Sequence, residues 1–171
     1  MLVLRCTKKL LGALPPGTAA GGDVADDPEL GSWFVDLISV RRSKCLLATH
    51  SGTLYSVLVP HVRKPDLQNL AGIFLQNLSV AFRMESFAAD AERFFDDRLS
   101  AHIIGSTNSR RVLGSMNDLK YQVQVFFEVQ SEVGPFQFTA AGRVINRVPM
   151  SFLKYGNAAD SMKRLVTHGV A

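Results

Sequence analysis

The stretch WFVDLISVRRSKCLLATHSGTLYSVLVP, residues 33–60, determines the fold class. It holds three apolar runs of six to eight residues, WFVDLISV, KCLLAT and TLYSVLVP, which the segments RRS and HSG separate. Runs of this length joined by about three turn-forming residues predict an antiparallel β-meander. For the first run a helix also stays open, because periodicity alone does not distinguish a short apolar strand from a helix.

Two helices are predicted after the meander. Five apolar residues between positions 67 and 82 recur every three or four residues and therefore share one helical face. They are Leu67, Leu70, Phe74, Leu78 and Phe82. Asp66 begins this helix, where a carboxylate accepts backbone N–H groups. A second helix over 88–99 has an apolar inner face and carboxylates on its outer face: Asp90, Glu92, Asp96 and Asp97.

The segment AHIIGST, 101–107, predicts one more strand, and RRVLGSMNDLKYQVQVFFE, 110–128, predicts a long helix. Its apolar residues again recur in steps of three and four. Asn108 or Ser109 is the expected N-cap, because either side chain can accept a hydrogen bond from a free backbone amide of the first turn. Arg110 and Arg111 then lie at the helix N-terminus, where cations are unfavourable unless an anion neutralises them.

The two ends of the chain complete the fold prediction. Residues 2–6 predict a short apolar strand, 7–11 a brief helix, and the Gly-, Pro- and Ala-rich segment 13–30 a flexible loop. Residues 137–155 predict a loop or strand broken by Pro149, and 157–169 a short helix that ends before Gly169. The sequence therefore predicts a single α+β domain over 1–171, in which a small antiparallel sheet of about three to five strands packs against three to four helices.

Composition agrees with one globular domain and excludes a disordered chain, since 47% of the 171 residues are hydrophobic and 20% are charged. No apolar run approaches the roughly 18 residues of a membrane span. Near the N-terminus, Arg5, Lys8 and Lys9 interrupt the apolar residues instead of preceding them, which is unlike a signal peptide. We therefore expect a cytoplasmic protein without a membrane partner.

Residues with metal-binding or nucleophilic chemistry are dispersed along the chain. The four histidines lie in separate segments, without the spacing of metal ligands, and histidines at turns and strand ends are usually solvated. Cys6 and Cys45 lie in apolar segments, where a free thiol is usually buried. Around Ser115, GSMND lacks the second glycine of a nucleophile elbow. We expect no metal and no cofactor, and the sequence leaves any catalytic residue unassigned.

The distribution of charge indicates a basic surface. Residues 1–64 carry eight Lys or Arg against five Asp or Glu, residues 65–108 carry three against six, and residues 109–171 carry eight against four. If the two basic flanks meet in space, their face could attract phosphate or nucleic acid. The alternative is that these side chains simply solvate separate faces. The candidate anion- or nucleic-acid-binding residues are Lys8, Lys9, Arg41, Arg42, Lys44, Arg110 and Arg111.

Two functional hypotheses follow from the residues. The first is a non-enzymatic binding or regulatory module, with nucleic acid or a protein as its partner. The second is a small enzyme that acts on a phosphorylated or nucleic-acid substrate through a polar site on the 110–118 helix start. Its polar helix face is Ser115, Asn117 and Asp118, and Arg111 nearby and one histidine brought in by folding complete the site. A purely structural role, including a homo-oligomer, also stays open.

Four segments in combination resemble a known family: LRCTKKLL, RRSKCLLATHSGTLYSVLVP, RRVLGSMNDL and INRVPMSFLKY. The chain is similar to a bacterial domain family of unknown function, whose members are short stand-alone proteins, some of them similar to segments joined to plasmid or transposon reading frames. The resemblance covers most of the chain except 13–30 and 129–142. It implies a bacterial cytoplasmic protein with the family's architecture, and it brings no activity.

The residues that carry this resemblance include most of the candidate site. They are Lys8, Lys9, Arg41, Arg42, Lys44, Cys45, Arg111, Gly114, Ser115, Met116, Asn117, Asp118, Asn146, Pro149 and Met150. After PMS the family often has a proline or a small residue. This chain has Phe152 there, so its turn is expected to differ.

Overall fold

A five-stranded mixed sheet forms the centre of the computed structural model, which describes residues 1–96 and 98–169. The strands in chain order are β1 (Leu2–Cys6), β2 (Trp33–Val40), β3 (Ser43–His50), β4 (Ser56–Val59) and β5 (His102–Ser106). Their order in the sheet is β4-β3-β2-β1-β5. Strands β2, β3 and β4 pair in antiparallel fashion. The predicted meander is therefore confirmed.

Strand β1 makes the sheet mixed, because it lies between β2 and β5 and pairs with both of them in parallel. Two of the four pairings are thus parallel, which the prediction of an antiparallel sheet did not include. All five residues of β1 are buried, as is typical of a strand that is covered on both faces. Parallel neighbours need a long crossover connection, and residues 7–32 provide it between β1 and β2.

Six α-helices lie in the described ranges, more than the predicted three to four, and the α+β class is confirmed. They are α1 (Lys8–Leu11), α2 (Leu70–Arg83), α3 (Ala88–Phe95), α4 (Arg110–Glu128), α5 (Pro135–Ile145) and α6 (Ala158–His168). A 3₁₀ turn over Lys64–Asn69 precedes α2, so Leu67 belongs to that turn. Asp97, predicted on the outer face of the second helix, lies outside the described residues.

The long helix α4 has the predicted bounds, and Ser109 is its N-cap, with its hydroxyl accepting from Val112 N. Helix α5 contradicts the prediction of a loop or strand over this part of the tail. It begins with Pro135, whose fixed φ suits the first helical position. Phe138, Ala141 and Ile145 then recur at helical spacing and are buried. Pro149 falls beyond the end of the helix, where a proline does not interrupt it.

Segment 13–30, predicted as flexible, contacts the edge of the sheet at several points. Arg5 is 1% exposed, and its guanidinium donates to Asp26 at 2.7 Å and to the carbonyl oxygen of Val24. The amide of Ala20 donates to the carbonyl oxygen of Ile104 in β5 at 2.8 Å. These contacts place the segment against β1 and β5, and its mobility stays a prediction. In the described part of the chain, none of the helices combines the length and apolar composition that a membrane crossing requires.

Candidate functional site

Four of the predicted basic residues lie where β1 and β5 end side by side. Cys6 pairs with Ser106 in the parallel register, so the chain leaves both strands at the same edge of the sheet. Helix α1 follows β1 and helix α4 follows β5, and the first turns of these helices carry the cations. All four side chains are exposed, and we call them the sheet-edge cluster: Lys8, Lys9, Arg110 and Arg111.

Arg111 stacks on Phe152. Its guanidinium carbon lies 4.1 Å from the centroid of the Phe152 ring, and one guanidinium nitrogen lies 3.4 Å from the Phe152 carbonyl oxygen. At an exposed site such a cation–π contact contributes about 0.5–1 kcal/mol. Phe152 thus orients one of the predicted anion-binding arginines.

The other three predicted cations lie around the turn between β2 and β3, and we call them the turn cluster: Arg41, Arg42 and Lys44. Arg41 reaches the C-terminus of α4, where it donates to the carbonyl oxygen of Phe127 at 2.7 Å and to that of Gln130. The last carbonyls of a helix lack intrahelical partners and carry the negative end of the dipole. Arg41 therefore caps α4.

The two clusters lie at opposite ends of α4. This helix has 19 residues, and at 1.5 Å per residue it is about 28 Å long. The sheet-edge cluster includes its first residues, whereas Arg41 binds its last carbonyls. The structure therefore does not bring all seven predicted cations onto one compact patch.

An open groove of about 630 Å³ lies beside the turn cluster, and we call it the turn groove. Its lining residues come from the start of β3 and from the loop that follows β4: Arg42, Ser43, Lys44, His61, Val62 and Arg63. Four of these six side chains are basic, and the lining includes no carboxylate. Arg42 and Lys44 were predicted from the sequence, whereas His61 and Arg63 were not assigned to the site.

Specific hydrogen bonds hold the two sides of the turn groove together. The Ser43 hydroxyl lies 2.8 Å from His61 Nδ1, and the Val62 amide donates to the Lys44 carbonyl oxygen at 2.8 Å. Arg63 lies at the outer end, where its Nε is 3.5 Å from the carboxylate of Asp66. These contacts fix the loop after β4 against the start of β3, so that basic side chains from distant sequence positions line one groove.

The backbone around the turn groove is strained. Arg41, Arg42 and His61 have φ values of 45°, 21° and 51°, in a region that residues with a Cβ rarely adopt. Each such residue costs of order 1–3 kcal/mol, and such strain is often concentrated where function requires it. Positive φ at both central positions suits a tight hairpin turn, which usually contains Asn or Gly. Here two arginines occupy those positions.

The predicted polar face of α4 is exposed and does not form an enclosed site. The Ser115 hydroxyl donates to the carbonyl oxygen of Arg111 at 3.3 Å, within the helix. Asn117 and Asp118 are exposed. Lys120 follows these residues on the helix but does not belong to the polar face. It donates to the buried Asp36, at 2.9 Å from Oδ2.

Asp36 connects three elements. It is 6% exposed, and its other carboxylate oxygen accepts from the hydroxyl of Thr7, the N-cap of α1, at 2.6 Å. A buried carboxylate needs such partners, since an unpaired one would be strongly destabilising. Strand β2, helix α1 and helix α4 are therefore fixed to one another at this residue, which the sequence marks only as a carboxylate within an apolar strand.

A second buried network joins the start of β4 to the segments that directly follow α2 and α5. The hydroxyl of Tyr55 donates to Glu85 at 3.1 Å, and Arg147 donates to the other oxygen of Glu85 at 2.7 Å. Burial and the Glu85 charge raise the pKa of Tyr55, and the hydrogen bond to Glu85 raises the pKa of Arg147. Asn146 accepts from the Ser56 amide and donates to the Ser56 carbonyl oxygen, at 2.7 and 2.8 Å. These groups are paired with one another and stabilise the fold.

His50 is buried, although histidines at strand ends were expected to be solvated. It is 3% exposed, and its Nε2 lies 2.7 Å from the Leu30 carbonyl oxygen while Nδ1 accepts from the Thr53 amide at 3.2 Å. Burial lowers its pKa to about 4, against a smaller opposite effect of the Leu30 bond. Cys6 and Cys45 are buried as predicted, and burial raises both thiol pKa values to about 12.

Within residues 1–96 and 98–169, no three His, Cys, Asp or Glu side chains lie close enough together to hold a metal ion. The chain matches no curated protein. Residues 3–161 match a family model described as Domain of unknown function (DUF6933). This match covers nearly the whole chain, including the strands of the sheet, the turn groove and helix α4. The chain therefore belongs to the DUF6933 family.

Proposed function

We propose that this protein is a non-enzymatic binding module that contacts the phosphate groups of nucleic acid through its turn groove. The observation that carries the proposal is the lining of that groove, which holds the four basic residues Arg42, Lys44, His61 and Arg63. Of these, Arg63 lies 3.5 Å from the carboxylate of Asp66, outside the lining. Basic side chains on a surface attract nucleic acid mainly through its phosphates. The groove is open rather than enclosed, as suits a polymer that passes along the surface.

Two further features support this proposal. Arg42 is exposed at a strained turn, at a position where glycine would relieve the backbone. Neighbouring Arg41 binds the last carbonyls of α4, which anchors the turn. Phosphate contacts of this kind are independent of sequence. We therefore expect binding with little preference for base sequence.

The sheet-edge cluster is the second part of the proposed surface. It lies about the length of α4 from the turn groove. The two sites therefore contribute separately to the binding of nucleic acid by one chain. The alternative of an enzyme with a polar site at the start of α4 gains no support from Ser115, whose hydroxyl is bonded within the helix, or from Asp118, which is exposed.

The test is fluorescence anisotropy with labelled single- and double-stranded oligonucleotides at 50 and 200 mM salt. We expect binding at low salt that weakens steeply as salt is added. In the triple variant Arg42→Ala, Lys44→Ala and Arg63→Ala, affinity should fall at least about tenfold, and the slope of log K against log salt should decrease by about 0.9 for each lost phosphate contact.

The matched control removes the same charge elsewhere, through Lys154→Ala, Lys163→Ala and Arg164→Ala, and should bind as the unchanged protein does. A quadruple variant of the sheet-edge cluster measures its separate contribution. Absence of binding at 50 mM salt would overturn the proposal. So would an equal loss of affinity in the control, because net charge rather than the groove would then determine binding.

A further inference from the structure

Helix α4 has a solvent-exposed face opposite its buried one. Its buried residues are Val112, Met116, Leu119, Val123 and Phe127. The opposite face contains three apolar side chains that are 67%, 40% and 84% exposed: Tyr121, Val125 and Val129. They are four residues apart and so form a continuous stripe. Isolated exposed apolar residues are normal, whereas a stripe along one helix indicates a contact surface.

Gly114 lies on the same face, one helical turn before Asp118. A glycine inside a helix costs about 1 kcal/mol relative to alanine. A Cβ added to Gly114 would meet no atom within 4 Å, so no described neighbour in this chain requires a glycine there. A small residue on an exposed helix face allows the backbone of another helix to approach closely. Gly114 therefore leaves room for a partner helix to approach α4 closely.

The charges at the two ends of α4 favour a partner with the opposite arrangement. Cations begin the helix, at Arg110 and Arg111, and carboxylates lie at and just beyond its end, at Glu128 and Glu132. Arg41 adds one cation at that end, where it binds the last carbonyls. A second α4 that runs antiparallel to the first supplies this arrangement. The helix dipoles then also oppose each other, with each positive end beside a negative end.

We propose that two copies of this chain associate through α4 in an antiparallel pair. The two-fold axis passes between positions 119 and 120 of the two helices. Residues whose numbers sum to 239 then lie at the same level along the two helices, and the exposed ones among them can meet across the axis. The facing pairs are Arg111 with Glu128, Gly114 with Val125, and Asp118 with Tyr121. The first pair joins a cation to an anion. In the second, the apolar side chain of Val125 fills the space beside Gly114, and the third joins a carboxylate to a phenol hydroxyl.

The geometry favours a shallow crossing between the helices. Arg111 and Glu128 lie about 13 Å along the helix from the axis, at 1.5 Å per residue. At a crossing angle of about 20° the helices diverge by roughly 4–5 Å at that distance, which long side chains can span. At about 50° the divergence exceeds 10 Å and the ion pair is lost. The shallow packing is therefore the arrangement that uses the whole face.

The size of the surface sets the expected strength. A face about 28 Å long and about 10 Å wide offers roughly 300 Å² per copy. Stable interfaces usually bury about 800 Å² per partner. We therefore expect a weak and reversible dimer, with a dissociation constant in the micromolar range or above. The dimer does not rest on the proposed binding of nucleic acid by the turn groove. Arg111 belongs to the sheet-edge cluster as well, so a phosphate bound there competes with the dimer.

Sedimentation velocity from about 10 µM to 1 mM tests this proposal, with two charge-reversal variants. In Arg111→Glu, carboxylates at 111 and 128 face each other across the axis. In Glu128→Arg, two arginines do. Each variant alone should therefore stay monomeric at concentrations where the unchanged protein dimerises. An equimolar mixture of the two should dimerise again, because every facing pair is then opposite in charge.

The restored mixture also shows that both variants are folded. Lys163→Glu on α6 is the matched control and should dimerise as the unchanged protein does. A monomer at every concentration would overturn the proposal. Association that both reversals leave intact would also overturn it, since another surface would then be responsible.

Discussion

His50 joins two segments that are distant in sequence. One ring nitrogen is bonded to the Leu30 carbonyl oxygen before β2, and the other accepts the Thr53 amide in the turn before β4. The ring also packs against Trp33, with 5.2 Å between centroids. The Thr53 hydroxyl lies 3.0 Å from the same Nδ1 that accepts from the Thr53 amide. A protonated Nδ1 would lose the bond from that amide, because it can no longer accept. Burial and this bond therefore favour neutral His50 in the folded protein.

Stability should consequently fall in mild acid. The pKa of His50 is about 4 in the folded protein and about 6.5 in the unfolded chain. Between these values the unfolded state binds a proton that the folded state does not, so the stabilisation present above pH 6.5 is lost as the pH falls towards 4. We expect this group alone to lower the free energy of unfolding by about 1 kcal/mol between pH 6.5 and 5.5.

Urea unfolding followed by the fluorescence of Trp33 measures this dependence. In His50→Gln the amide can still donate to Leu30 and accept from Thr53, but it does not titrate. The variant should lose less stability than the unchanged protein over the same interval. Equal losses would show that other groups cause the acid sensitivity.

At the scale of elements, α4 is held at both ends by groups of different kinds. Ser109 caps its first turn, as its place before an apolar periodic segment predicts. Arg41 caps its last turn from a hairpin that lies 86 residues earlier in the chain. A local cap can be predicted from neighbouring residues, whereas a cap from a distant turn depends on the tertiary fold.

Arg41→Ala should destabilise the protein by about 1–2 kcal/mol, because the carbonyls of Phe127 and Gln130 lose a charged donor. Arg42→Ala is the matched control, since it also retains a Cβ at positive φ and removes one charge from the same turn. It should change the free energy of unfolding by less than about 0.5 kcal/mol. Chemical denaturation of the three proteins tests the pair. Equal destabilisation would contradict the capping role.

Sequence periodicity predicted the local elements and missed those that depend on distant partners. The meander and α4 follow from runs of apolar residues that alternate with clear turns. Helix α5 was not predicted because the apolar face of QFTAAGRVI is short. The nearby Pro149, which breaks regular structure, also favoured the prediction of a loop or strand. In the turn groove, Arg42 and Lys44 could be predicted from their crowding. His61 and Arg63 could not, because only the pairing of β3 with β4 brings their loop beside that turn.

At the scale of the whole molecule, one hydrophobic core connects the sheet to the helices on it. We propose that the chain folds as a single domain, as its length predicts. Segment 13–30 has two parts in this arrangement. Val24, Asp26 and Asp27 are bound to other segments, whereas Gly17, Gly21 and Gly22 are exposed.

Hydrogen exchange at native conditions tests both statements. The slowest amides of β1, β2, β3 and α4 should exchange with one common free energy, as expected when they are exposed by a single global unfolding reaction. Amides of Gly17, Gly21 and Gly22 should exchange much faster, while that of Ala20, bonded to Ile104, should be protected. Separate free energies for the sheet and α4 would indicate independent units.

The central position of β1 has a consequence for synthesis on the ribosome. This strand is synthesised before its neighbour β5, which begins at His102. At roughly 5–20 residues per second, the ribosome needs about 5–20 s to add the intervening residues. Throughout that interval β1, whose five residues are all buried in the folded protein, has an unpaired edge. Chaperones bind such an edge, and other nascent chains can pair with it. Slower translation between β1 and β5 should therefore lower the yield of folded protein.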